Sequence, residues 1–224
     1  MTLRLLWTEL RENSLWALIA LAAGRVIIFF GRSPELIGGL SQRLLPNYYA
    51  INLIQGGTLV LPLLWSAGLM FWFCVAWGAA LGLAQHFVEQ RRGTYQVLAT
   101  LPVTRGQVFA AKAGAGVLLY LLGAGLPFAL LVLRAALPGH YPSPFRWWMA
   151  GPGLAAVSTG LAAYAGAFMT AARPARWYVS RGAPLFVGIY SLTGYSGLAA
   201  AATALAAAAL LLWGGAVSLR RRDL

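Results

Sequence analysis

The chain has 224 residues, of which 60% are hydrophobic and only 10% are charged, and its mean hydropathy is +0.70. Soluble domains carry about 25% charged residues, so this composition excludes an ordinary soluble protein and indicates one embedded in lipid, which needs little polar surface. The formal net charge is +12. Because the basic residues lie between long apolar runs, they are expected to set topology beside anionic lipid rather than to bind nucleic acid.

The apolar runs predict an all-α integral membrane protein that forms a single domain over residues 1–224. About six transmembrane helices are expected, over residues 14–30, 58–84, 108–133, 149–171, 182–195 and 197–217. Residues 2–13 are predicted to form an N-terminal interfacial helix in the headgroup plane, with a plain cytosolic extension of the first span as the alternative. The N-terminus does not match a signal peptide, so we expect it to be retained.

Two of the predicted spans contain residues with alternative roles. Arg25 lies in the first span, where a charge at the bilayer centre costs about 3 kcal/mol. Its place near the outer end favours snorkelling to the interface, and a role in a substrate path is the alternative. The second span holds Trp65, Phe71 and Trp72. Phe71 and Trp72 lie near its middle, where helix packing or a hydrophobic substrate surface would explain them. The candidates for a substrate path or a dimer interface are Arg25, Trp65, Phe71 and Trp72.

The third span carries two local signals. Thr104 and Gln107 match a Thr-x-x-Gln capping box, which predicts that a helix begins just before this span. Pro127 is predicted to kink the helix, as proline does within membrane spans.

Small residues occur one helical turn apart in two other spans. Gly78 and Gly82 form a GxxxG pair in the second span, and Ala162 and Gly166 form a similar pair in the fourth. Such pairs predict that neighbouring helices approach closely.

Basic residues set the predicted orientation. With the N-terminus in the cytoplasm, twelve of the 17 basic residues lie on the cytoplasmic side and four on the outer side, as the positive-inside rule requires. The cytoplasmic ones are Arg4, Arg11, Arg91, Arg92, Arg105, Lys112, Arg173, Arg176, Arg181, Arg220, Arg221 and Arg222. The outer ones are Arg32, Arg43, Arg134 and Arg146. The prediction is a multi-pass protein of the cell inner (cytoplasmic) membrane with both termini in the cytoplasm.

The sequence has none of the common catalytic or nucleotide-binding motifs. It lacks a GxxxxGK[ST] loop, an HExxH motif, a GxSxG motif and any cluster of cysteine and histidine. Cys74 is the single cysteine, and His86 and His140 are predicted on opposite sides of the membrane. We therefore predict no catalytic residue, no metal site and no enzymatic activity in this chain; an intramembrane enzyme would need facing acids, histidines or a Ser/His pair within the spans.

The acidic residues bear on the energy source. None of the five, which are Glu9, Glu12, Glu35, Glu89 and Asp223, falls within a predicted span. Ion-coupled carriers usually hold a carboxylate or a polar broken-helix site near the midplane. A transporter of this composition is therefore expected to receive its energy from outside the bilayer. A carrier not coupled to ATP, or a membrane scaffold, is the alternative.

The strongest local pattern lies between the second and third spans. Gly93 breaks the helix descending from the second span, Thr94 can cap a new short helix, and Pro102 ends it. Three residues share one face of this helix at helical spacing: Tyr95, Leu98 and Leu101. The product is a short amphipathic helix at the cytoplasmic face, suited to a cytosolic partner, with an ordinary interfacial connector as the alternative.

This stretch resembles the first cytoplasmic loop of ABC-2 type transporter permeases. That loop has an acid, then Gly-Thr, a leucine a few residues on, then Pro-Val/Ile-Ser/Thr-Arg and a later lysine. The matching residues are Glu89, Gly93, Thr94, Leu98, Pro102, Val103, Thr104, Arg105 and Lys112. The ending Arg-Arg-Arg-Asp-Leu, residues 220–224, is also similar to the usual end of this family.

The resemblance implies a permease subunit that pairs with a second, identical or homologous, permease and with cytosolic ABC ATPase subunits. ATP and Mg would be bound by those ATPase subunits and no cofactor by this chain. The short helix would act as a coupling helix, and a hydrophobic or amphipathic substrate would be exported at the dimer interface.

The resemblance also implies individual roles in coupling. Glu89 and Arg105 would orient the loop, Gly93 would permit the break, and Tyr95 and Leu98 would contact the ATPase. The complete set of candidate coupling residues is Glu89, Gly93, Thr94, Tyr95, Leu98, Pro102 and Arg105.

Overall fold

The computed structural model describes residues 70–85, 104–137, 145–172 and 198–220, and single positions between residues 7 and 22. Within these ranges the chain is helical, and they contain no strand. The helices are α1 (Met70–Gln85), α2 (Arg105–Tyr120), a π-helical turn (Leu121–Gly125), α3 (Leu126–Ala136), a 3-10 turn (Trp147–Ala150), α4 (Gly151–Ala172) and α5 (Leu198–Arg220). The described single positions, all helical, are Trp7, Leu10, Arg11, Leu15, Leu18, Ile19, Leu21 and Ala22.

Three helices in the described ranges are long and apolar enough to cross a membrane. They are Gly106–Ala136, Trp147–Ala171 and Leu198–Val217, of 31, 25 and 20 residues. At 1.5 Å per residue, about 20 residues are needed to cross the hydrocarbon core. These helices coincide with the predicted third, fourth and sixth spans, so the chain has the character of a membrane-embedded protein, and its described part is all helical.

The other predicted elements are described in part or not at all. Helix α1 is apolar but shorter, with 16 described residues, and it falls within the predicted second span and one residue beyond it. Only single positions represent the N-terminal interfacial helix and the first span. The fifth span and the short coupling helix lie outside the described residues.

Helix α2 begins at the predicted capping box, which the structure confirms. The Thr104 hydroxyl accepts a hydrogen bond from the Gln107 backbone N–H at 3.4 Å, and the Gln107 side-chain oxygen accepts one from the Thr104 N–H at 3.3 Å. Two N–H groups that a helix start leaves without partners are thereby satisfied.

A π-helical turn lies directly before Pro127, where the sequence predicts a kink. The Leu126 N–H donates to the carbonyl of Leu121, five residues back. Pro127 has no N–H and its ring crowds the preceding turn, so a wider turn at this place relieves both problems. The helix nevertheless continues through Gly106–Ala136.

Helix α2 runs antiparallel to α4. The Tyr120 hydroxyl donates to the Val157 carbonyl at 2.6 Å, and the Tyr164 hydroxyl lies 3.3 Å from the Ala113 carbonyl. Residue numbers therefore fall along α2 as they rise along α4. Helix α4 is the most enclosed of the three membrane-length helices: 72% of its apolar stretch is buried, against 33% for Gly106–Ala136 and 28% for Leu198–Val217.

Helix α5 runs parallel to α4. Ala204 packs with Ala155 near the start of α4, and Gly215 lies against Met169 near its end. Helix α4 therefore ends at one end of the bundle, and α5 begins at the other.

Helix α1 packs parallel to α4 with almost no side chain between the two backbones. A Cβ atom added at Gly78 would meet the Gly160 carbonyl. One added at Gly82 would lie 2.6 Å from the backbone carbonyl oxygen of Tyr164 and 2.8 Å from the backbone nitrogen of Phe168. The predicted close approach at the GxxxG pair is confirmed, and its partner is α4 of the same chain.

The described outer surface is rich in large apolar side chains. Exposed residues of this kind on α1, α2, the π-helical turn, α3, the 3-10 turn and α5 include Trp72, Leu118, Leu122, Leu126, Leu130, Leu133, Trp147, Trp148, Leu210 and Trp213. An apolar surface of this extent is unfavourable in water and is typical of a protein whose solvent is lipid.

Candidate functional site

The segment of residues 86–103, which carries the ABC-2-like pattern, connects two helices whose facing ends the structure describes. Gln85 is the last described residue of α1, and Thr104 caps the start of α2. The Gln85 amide Nε2 donates to the Lys112 carbonyl at 3.3 Å, and both residues are buried, with Gln85 2% and Lys112 3% exposed. The two helices that flank the segment are thus joined side by side in the protein interior.

Tyr164 of α4 adds a third helix to this contact. Its hydroxyl donates toward the Gln85 Oε1 at 3.1 Å and toward the Ala113 carbonyl at 3.3 Å. A phenol carries one hydrogen, so the two oxygens, one on α1 and one on α2, share it. We call the side chains of Gln85 and Tyr164, together with the backbone carbonyls of Lys112 and Ala113, the polar joint.

Gly116 makes room for the polar joint on α2. A Cβ atom at this position would meet the Tyr164 hydroxyl and would lie 2.5 Å from the ring carbon that bears it, and 2.7 Å from the Gln85 Oε1. The missing side chain lets both polar groups reach the α2 backbone. Leu81 and Phe168 are completely buried in the same apolar cluster as Tyr164, and Lys112, at 3% exposed, is a charged residue buried with them.

The helix directions place Gln85 and Thr104, the described residues that flank the segment, at one end of the bundle. Helices α1, α4 and α5 end there and α2 begins there, since α1 and α5 run parallel to α4 and α2 runs against it. Arg105 and Arg220 occupy helix positions at this end, and Arg221 and Arg222 follow in the sequence. Arg134, in the last turn of α3, and Arg146, just before the 3-10 turn, lie at the other end.

Most of the candidate coupling residues lie outside the described residues. Arg105 is described as the first residue of α2. The others are Glu89, Gly93, Thr94, Tyr95, Leu98 and Pro102. Their roles remain predictions.

The candidates for a substrate path or dimer interface divide similarly. Arg25 and Trp65 lie outside the described residues. Phe71 and Trp72 meet edge to face, with ring centroids 5.5 Å apart at 84°. Phe71 is partly buried against the core, whereas Trp72 is 72% exposed. Phe71 therefore contributes to helix packing, and Trp72 presents its ring to the outer surface; a part for either in a substrate path or dimer interface stays a prediction.

Gln85 and Tyr164 were not functional candidates from the sequence. The available signal was weak: a polar amide at the end of an apolar run, and one tyrosine within an alanine- and glycine-rich helix. Among the described residues no group of three histidine, cysteine or acidic side chains could hold a metal ion. Cys74 is buried there as a free thiol.

No known protein family matches the sequence, and no curated protein or solved structure is significantly similar to it.

Proposed function

We propose that the chain is the transmembrane permease subunit of an ATP-driven ABC-2 type transporter, coupled to a separate cytosolic ATPase. The observation that supports the proposal is the ABC-2-like pattern of residues 86–103. In the sequence this segment connects the last described residue of α1 to the cap of α2, and basic residues collect in the sequence near the helix ends on that side. By the positive-inside rule that side faces the cytoplasm, where an ATPase would be.

In the proposed mechanism the chain supplies the moving membrane part and the ATPase supplies the energy. The short helix over residues 94–101 seats in a groove of the ATPase, and ATP-driven closure of the ATPase dimer pushes this helix. Because α1 is packed directly against α4, the push reaches the centre of the bundle and shifts it between two arrangements. Two permease subunits, identical or homologous, would move the substrate between them.

The proposed cargo is hydrophobic or amphipathic, and the proposed direction is export. The outer surface of the described helices is apolar, and Trp72 offers an exposed ring on α1. Such a surface suits a molecule that enters from lipid. The acidic residues lie outside all predicted spans, which argues against coupling to an ion gradient through a buried carboxylate.

The test is co-purification in mild detergent through a tag on this chain. We expect a cytosolic protein with Walker motifs to accompany it and the complex to hydrolyse ATP. Leu98→Arg should remove the ATPase from the complex, because it places a charge on the apolar face of the coupling helix. Gln96→Arg adds the same charge on the opposite face and should leave binding unchanged.

Purification of the chain without an ATPase, together with transport that continues after ATP depletion, would contradict the proposal. That result would favour the alternative, a carrier not coupled to ATP. Equal binding in Leu98→Arg and Gln96→Arg would instead show that the segment does not seat in the ATPase by its predicted face.

A further inference from the structure

We propose that the polar joint of Gln85, Tyr164 and the Lys112–Ala113 backbone is the positioning element that carries movement of residues 86–103 into α4. This inference rests on the proposed function, since it assumes that an ATPase moves the segment. It assigns to Gln85 and Tyr164 a role that the ABC-2-like pattern does not contain, because neither residue belongs to that pattern.

The polar joint lies close to residues 86–103. Gln85 immediately precedes the segment, and Lys112 lies eight residues after the cap at Thr104, about 12 Å along the helix. The joint lies about one helical turn deeper than the edge-to-face contact between Phe109 of α2 and Phe168 of α4, and in it polar groups of both flanking helices meet a third helix. That third helix is α4, the most enclosed of the membrane-length helices. A displacement that enters from the segment meets α4 here.

The contact of α1, α2 and α4 at the polar joint resists relative movement of these helices. Gly78 and Gly82 bring the backbone of α1 against that of α4 just before and just after Tyr164 along α4, so these helices have little room to slide past each other. A buried polar group that loses its partner in an apolar interior incurs a large penalty. The joint thus resists separation of α1, α2 and α4.

The hydroxyl of Tyr164 has two acceptors, the Gln85 Oε1 and the Ala113 carbonyl. If α1 and α2 shift relative to each other, the single hydrogen can stay with Gln85 Oε1 or with the Ala113 carbonyl. Either choice keeps the hydroxyl satisfied. The joint can therefore adopt two discrete hydrogen-bond arrangements, which is the property that an element coupling two sites needs.

The test uses the complex of the full chain with its ATPase. Deuterium uptake of α4 is measured without nucleotide and after trapping with ATP and vanadate. We expect the unaltered complex to show a nucleotide-dependent change in α4. Tyr164→Phe and Gln85→Leu should keep the bound ATPase but reduce that change about threefold, the factor typical of one hydrogen bond between membrane helices.

Tyr120→Phe is the matched control. It removes another buried tyrosine hydroxyl that links the same three helices, since it donates to the Val157 carbonyl of α4 and is hydrogen-bonded with the Cys74 thiol of α1, but this hydroxyl lies farther from the segment. A merely structural role for the joint would make all three variants respond alike. The effects of Tyr164→Phe and Gln85→Leu should also fail to add in the double variant, because the two groups share one bond.

The outcomes separate the two proposals. If no ATPase binds the unaltered chain, the proposed function fails and the joint fails with it. If the ATPase binds but α4 does not respond to nucleotide, or responds equally in Tyr164→Phe and Tyr120→Phe, the joint alone is overturned. Should Tyr164→Phe not fold, Gln85→Leu, which leaves the tyrosine in place, decides the question.

Discussion

Replacing Gly82 by alanine would test the backbone contact between α1 and α4. The added Cβ would lie 2.6 Å from the Tyr164 carbonyl oxygen, 2.8 Å from the Phe168 nitrogen and 2.9 Å from the Ala167 Cβ. None of these atoms is the free end of a flexible side chain. The helices would have to separate by about 0.9 Å to restore an ordinary contact of ~3.5 Å.

Two opposing terms set the size of the effect. Overpacking of this kind typically costs about 1–3 kcal/mol, whereas alanine is a better helix former than glycine by about 1 kcal/mol. A substitution at Gly214 in α5 allows the overpacking cost to be separated from the gain in helix propensity, because a Cβ there would meet no atom within 4 Å. Gly214→Ala therefore has the propensity gain alone. We expect Gly82→Ala to be less stable than Gly214→Ala by about 1–3 kcal/mol.

The measurement is unfolding of the detergent-purified chain by increasing SDS in dodecyl maltoside micelles. Tryptophan fluorescence and far-UV circular dichroism would follow the transition. Gly82→Ala should unfold at a lower SDS fraction than the unaltered chain, and Gly214→Ala at an equal or higher one. Coincident transitions for the two variants would refute the reasoning, because the α1 and α4 backbones could not then be in contact at Gly82.

Three further predictions can be measured in the same unfolding assay or by hydrogen exchange. Gly215→Ala should destabilise the chain less than Gly82→Ala does, since its Cβ would meet a methionine sulfur and a phenylalanine ring, which are side-chain atoms able to move, rather than backbone; an equal or larger loss of stability would contradict this packing. Tyr120→Phe should cost about 1 kcal/mol through the lost bond to Val157, and an unchanged midpoint would show that this bond contributes nothing. Thr104→Ala should speed amide exchange in the first turn of α2 by removing the cap to Gln107, at about 0.5–2 kcal/mol, whereas Thr104→Ser should not; equal exchange in both would argue against the cap.

Features that depend on neighbours in sequence were predictable. The third, fourth and sixth predicted spans coincide with membrane-length helices, because hydropathy and helix length act along one segment at a time. The capping box at Thr104 was predictable for the same reason: its two hydrogen bonds join residues three apart. Pro127 marked the place of an irregular turn, but its π-helical form depends on how the neighbouring turns accommodate the proline.

Contacts between distant residues were not predictable. The pair Gly78 and Gly82 indicated a close helix neighbour but not which one; the structure places α4 of the same chain there. Nothing local distinguishes Phe71, which packs inward, from Trp72, which points outward, since both are large aromatic residues in an apolar run. The direction each one faces is set by the position of α4.

The polar joint shows the physical reason most clearly. Gln85 and Tyr164 are 79 residues apart, and each is unremarkable in its own segment. They matter together because an apolar interior penalises any polar group without a partner, and only the packing of three helices around Gly116 brings the partners within reach. Hydropathy thus placed the chain in lipid, whereas the choice of neighbouring helices assembled the joint.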